Sequence, residues 1–133
     1  MRLWHQKLIP HLDRQRLLGQ HRECCALRGA GWGRPHSTVN YVFNYDPAYL
    51  VAYHYLIMGE MLNRGYSPDT DWLEPNWRGK TLGFQKDWCN IELLKEIIPN
   101  VIASNYIYSE HNDNYLQECL DNLKSKNIKI EID

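Results

Sequence analysis

A free amine at Met1, a single carboxylate at Glu23 and a concentration of arginines in the first third of the chain are the groups here with the most chemical potential. An α-amino group has a pKa near 7.7–8.0 against about 10.4 for lysine. At neutral pH its uncharged, nucleophilic fraction is therefore larger by roughly two orders of magnitude. Such an amine can attack C1′ of a deoxyribose, expel the base and leave a Schiff base, from which elimination breaks the strand at the 3′ phosphate. That chemistry also needs a negative group beside the developing oxocarbenium charge and a proton acceptor for ring opening and elimination. Glu23 can be both, and its neighbour Arg22 can hold a phosphate. The reaction calls for no metal and no cofactor.

The elements that must position these groups are helical. Leu17, His21, Cys24, Cys25 and Arg28 recur at helical spacing, which predicts a first helix over 12–28 with Asp13 as cap and Gly29 as stop. Glu23 projects away from the Leu17/Cys24/Cys25 stripe, toward a cleft. Residues 29–35 form a Gly-rich loop, and 36–45 alternate weakly enough to be extended. Asp46-Pro47 starts a second helix over 48–62 whose only formal charge is Glu60, with Gly65 ending it. Residues 67–83 are irregular. Asp87 is expected to cap a short helix over 88–98 closed by Pro99. A last helix opens at Asn112-Asp113-Asn114, buries Tyr115, Leu116, Cys119, Leu120 and Leu123 on one face, and stops at Asn127. The tail 128–133 is a short strand or a frayed end. The expected fold is mainly α: a single compact domain over 1–133, with about three principal helices and long irregular loops.

Composition limits the classes of function. Five Trp, nine Tyr and two Phe among 133 residues supply a packed core and exclude disorder. The net charge of −1 hides a split: residues 1–36 hold seven Lys/Arg against two acids, and the remainder eight against fourteen. A basic face of this kind meets polyanions, while the acidic remainder limits indiscriminate binding. Cys24, Cys25, Cys89 and Cys119 lack metal-type spacing and read as reduced, buried thiols. No apolar run approaches the roughly 20 residues of a membrane span, and no signal-peptide core is present, so the expectation is a cytoplasmic monomer without membrane contact.

Arg2, Gln15 and the run Leu17-Leu18-Gly19-Gln20-His21-Arg22-Glu23 resemble the first-helix motif of the pyrimidine-dimer DNA glycosylases of the phage endonuclease V type. Asn63-Arg64-Gly65-Tyr66 after a hydrophobic helix, the Trp77-Arg78-Gly79 turn, and Glu110-His111 before the final helix are similar to that family's order of parts. The resemblance implies a mostly helical domain whose terminal segment passes between helices to reach the glutamate, and which flips a nucleotide from damaged duplex DNA. It implies Met1 as amine nucleophile, Glu23 as the essential carboxylate, and Arg2, Gln15 and Arg22 as DNA contacts. The chain departs from the pattern in three places. Met1 stands where the phage enzyme exposes threonine. Ala26 stands where the family has arginine, leaving Arg28 as the nearest substitute for a DNA contact. Residues 82–108 have no good counterpart, and the aromatic, basic tail is missing.

His21-Arg22-Glu23 also fits half of a zinc deaminase signature, but no Pro-Cys-x-x-Cys follows. His21 and His54 are therefore read as packed, hydrogen-bonded histidines, and Trp4, Trp32, Trp72 and Trp77 as packing residues. The sequence thus points to a DNA-repair glycosylase with abasic-site lyase activity on damaged double-stranded DNA. The alternative is a noncatalytic DNA-binding relative that keeps the basic surface without the covalent step.

Overall fold

The structure, a computed structural model, describes residues 2–102 and 106–132. Among these described residues five α-helices follow one another: α1 (Arg14–Arg28), α2 (Pro47–Asn63), the single turn α3 (Gly79–Leu82), α4 (Ile91–Ile102) and α5 (Asp113–Ser125). Short 3₁₀ turns lie at Gln6–His11, Asn40–Asn44 and Thr70–Leu73. The mainly helical expectation holds, with four long helices in place of three. Among the described residues there is no strand beyond one isolated bridge between Trp77 and Phe84, and no helix long and apolar enough to cross a membrane.

α2 is the central element, packing on α1, on α4 and on the Gln6–His11 turn. Its start is fixed locally. Pro47 fits the first turn, where its missing N–H costs nothing, and the Asp46 carboxylate accepts from Ala48 N at 2.8 Å. Gly65 follows the helix with φ of 85°, a conformation that favours glycine, and lets Tyr66 N return to Met61 O at 2.8 Å. Between these ends Leu50, Val51, Tyr53, His54, Ile57, Met58 and Met61 are all buried, as a helix with almost no charge requires.

Three segments differ from expectation. Residues 36–45 are not extended but turn through the Asn40–Asn44 3₁₀ element, which places Val39 and Val42 in the core. α4 begins later than the sequence indicated and runs through Pro99. Asp87 takes φ of 63° and lies outside the helix, while Asn90 accepts from Leu93 N at 3.1 Å and opens it. At the start of α1, Asp13 occupies the cap position and its carbonyl accepts from Leu17 N at 2.9 Å, but its carboxylate bonds none of the helix N–H groups and meets Arg16 at 3.4 Å instead.

Residues 2–5 have no strand partner, yet Leu3, Trp4 and His5 are buried. Buried backbone polar groups must be satisfied, and here side chains do it. Trp4 N donates to Gln20 Oε1 (2.7 Å), Trp4 O accepts from Tyr53 Oη (2.6 Å), Leu3 O accepts from Tyr115 Oη, and Gln6 N donates to His111 Nδ1 (3.0 Å). The segment is thereby threaded between α1, α2 and α5.

Candidate active site

Gln20 connects the threaded segment to the carboxylate. It lies on the buried stripe of α1 with Leu17, Cys24 and Leu27, at 1% exposure. Its Nε2 donates to Arg2 O at 3.0 Å and to Glu23 Oε2 at 3.2 Å, while its Oε1 accepts from Trp4 N and, at 3.0 Å, from Tyr53 Oη. Two donors and two acceptor sites are all occupied, so the amide has a single orientation. The helical period marks position 20 as core, and a polar side chain there was the one available sign of its role.

Glu23 sits on the flank of the packed stripe, half-buried beside residue 2. Burial raises its carboxyl above the usual glutamate range. Hydrogen bonds from the Arg2 backbone N–H and the Gln20 amide, together with the field of His36, offset part of that rise. The carboxylate opens into a cavity of about 280 Å³ lined by Arg2, Trp4, Glu23, Thr38, Asn122 and Lys126. Only the first three belong to the amino-terminal region. Thr38 comes from the loop before the Asn40–Asn44 turn, and Asn122 and Lys126 from α5 and its end, which sequence reading had not joined to the site.

The remaining expected site residues divide. Met1 lies outside the described residues. Arg2 is half-buried, with Nη1 3.8 Å from Glu118 Oε1 and its guanidinium 5.5 Å from the Trp4 ring centre. Gln15 and Arg22 are exposed and line an open groove with Arg14 and Leu18, on the outer face of α1. Arg28 is corrected: it is not a phosphate contact but a fully buried bolt. Its Nη1 donates to Trp72 O (2.8 Å) and its Nη2 to Glu74 O (2.8 Å) and Trp77 O (3.2 Å), with the guanidinium 5.0 Å from the Trp72 ring centre. A cation enclosed by these carbonyls has no face left for DNA.

The same arginine decides the nature of a neighbouring cluster. His21, Cys25 and His54 bring their ligand atoms within 4.8 Å of one another, the spacing of a metal site. Arg28 Nη1 also lies 3.0 Å from His54 Nδ1, and a guanidinium can only donate. Burial holds His54 well below the usual histidine range, so the ring is neutral and its proton sits on Nε2, donated to His21 Nδ1 at 2.8 Å. That nitrogen then has no lone pair for a metal. Burial likewise pushes the Cys25 thiol up to about 11. The trio is a packed, hydrogen-bonded cluster.

The aromatic residues are mostly accounted for by packing. Trp32 meets Phe43 and Trp88 edge to face at 5.0 and 5.5 Å, and Trp72 covers Arg28 and His54. Trp4 is the exception: 7% exposed, it nevertheless walls the cavity beside Glu23.

A family model described as pyrimidine dimer DNA glycosylase matches residues 1–74, which span the terminal segment, α1, α2 and the first part of the loop that encloses Arg28. No curated protein and no solved structure matches the chain.

Proposed function

The chain belongs to the pyrimidine dimer DNA glycosylase family, and on that premise we propose that it excises damaged bases from duplex DNA and cleaves the resulting abasic strand, through a Schiff base on the Met1 amine. The observation that carries this reading is the Gln20 amide, which holds Arg2 O and Glu23 Oε2 on one nitrogen at 3.0 and 3.2 Å. A backbone fixed at residue 2 is one residue from the proposed nucleophile, which supports a reaction carried by that amine and the Glu23 carboxylate together.

In this mechanism the uncharged amine attacks C1′, the glycosidic electron pair leaves with the base, and the sugar ring opens to an imine. Ionised Glu23 stabilises the positive charge developing on the sugar. As the ring opens it relays a proton from the attacking nitrogen to O4′ and, ionised again, it takes the C2′ proton in elimination. Its raised pKa makes it a stronger base than an exposed glutamate once ionised. Arg2, Gln15 and Arg22 hold the backbone of the duplex, which makes affinity fall steeply with salt.

Borohydride trapping on abasic, ultraviolet-irradiated and intact duplexes tests the proposal. The expected result is a covalent adduct at Met1 with the first two substrates, with binding but no strand scission in Glu23→Gln. A protein that binds all three duplexes without any adduct is the noncatalytic relative, and the proposal fails.

A further inference from the structure

The cavity wall opposite the family-matched region points to a further participant, and we propose that Lys126 neutralises the phosphate expelled in the strand-breaking step. The inference rests on the amine-and-glutamate reading above. α5 lies outside residues 1–74, so the family match assigns nothing to it.

Glu118, Asn122 and Lys126 follow one another at intervals of four along α5 and its end, and therefore share a face. That face meets the threaded segment. Glu118 Oε1 reaches Arg2 Nη1 at 3.8 Å, and Asn122 and Lys126 line the cavity with Glu23. Lys126 Nζ stands 5.8 Å from the Trp4 ring centre. Among the described residues no carboxylate lies within ion-pair distance of this ammonium, although Glu23 belongs to the same cavity. Lys126 is exposed at the rim of this cavity, so an ammonium without a carboxylate partner there can meet an anion held beside Glu23.

The ligand chemistry follows from what the cavity must accommodate. In the imine, Glu23 removes a proton from C2′, and that C–H electron pair enters the C1′–C2′ bond. Return of the nitrogen lone pair then forms the C2′–C3′ double bond, and the C3′–O pair departs with the phosphate oxygen. The phosphate gains one negative charge as it leaves, and the proton stays on Glu23. A carboxylate cannot stabilise that charge, but an ammonium can, without itself changing protonation state. Lys126 thus acts after imine formation, where Met1 and Glu23 act from the first bond broken.

The test uses the full chain at saturating concentration on a preformed abasic duplex, with single-turnover scission and borohydride trapping measured in parallel. In Lys126→Gln, scission is expected to slow by about tenfold or more while the trapped adduct forms at the wild-type rate. Lys126→Arg is expected to recover most of the scission. Scission in Lys126→Gln within about twofold of wild type overturns the assignment. So does an equal fall in trapping and scission, which makes Lys126 a docking residue only, or an arginine variant no better than glutamine. Absence of any adduct with the wild-type chain defeats the amine mechanism itself, an outcome distinct from a defect confined to the variants.

Discussion

Gln20 concentrates in one side chain what the site needs from the fold. Its four hydrogen-bond capacities join α1, the terminal segment and Tyr53 of α2, and none is spare. Gln20→Leu keeps the volume and removes the partners of Trp4 N and Arg2 O, each group left unsatisfied costing about 1–3 kcal/mol. The variant should unfold earlier in denaturant and lose far more scission than DNA affinity, since exposed Arg22 is untouched. Gln20→Glu is sharper. It cannot donate to Glu23, and it adds a second carboxylate where Nε2 lay 3.2 Å from Oε2. Both changes raise the Glu23 pKa beyond the rise that burial already imposes. Because the base works ionised, activity is lost as pH falls through that pKa, and the acid limb of the pH–rate profile should move to higher pH in Gln20→Glu. A profile that superimposes on wild type would mean that the amide does not tune the carboxylate.

At the scale of an element, α1 presents two arginines with opposite duties. Arg22 is on the open face beside Gln15, and Arg28 is sealed at the carboxyl end, where Arg78 also reaches back to Arg28 O and Gly29 O at 2.8 and 2.9 Å. Arg22→Gln is expected to leave the melting temperature nearly unchanged and to reduce the slope of log affinity against log salt by about one. Arg28→Gln should do the reverse: a loss on the order of 3 kcal/mol of stability from the carbonyls it leaves open, with the salt slope intact. Equal salt slopes for the two variants would refute this division. The first helix was legible because its period, its Gly29 stop and its Glu23 are properties of adjacent residues, and α2 was legible because Asp46-Pro47 and Gly65 act within one turn. Arg28 was misassigned although its spacing from Leu17 and Cys24 put it on the packed stripe. The acceptors that bury it come from residues 72–77, an aperiodic stretch whose path no local rule fixes. Asn122 and Lys126 were missed for the same reason, since only the tertiary fold carries α5 to the cavity. Gln20 lay inside the motif and was passed over because three of its four partners, Arg2 O, Trp4 N and Tyr53 Oη, reach it only through the tertiary fold.

Across the whole molecule, the threaded segment ties the amino-terminal region to the start of α5 through buried histidines. His111 accepts from Gln6 N at Nδ1, so its Nε2–H faces Tyr41 Oη at 3.0 Å, and its ring stacks on His5 with centres 5.3 Å apart. Burial pushes His111 down to about 3, with the neighbouring His5 adding to the fall, and burial lowers His5, His21 and His54 as well. In the unfolded chain each titrates near 6.5, so below that pH the unfolded state takes up protons that the fold refuses. Stability is therefore complete above about 6.5 and declines as pH falls toward 3, by up to about 1.4 kcal/mol per pH unit for each histidine still neutral in the fold. Glu23 acts in the opposite sense, its raised pKa favouring the fold slightly on acidification, but it is one half-buried group against several buried rings. The urea midpoint should accordingly drop between about pH 6.5 and 4, and His111→Gln should start lower at neutral pH yet fall less steeply. A midpoint independent of pH over that range would show that these rings are solvated in the fold, and the pinning of residues 3–6 against α5 would fall with it. If the midpoint does drop, scission lost on acidification must be measured where the chain is still folded, since only there does it report Glu23 and not the release of the segment that carries Met1.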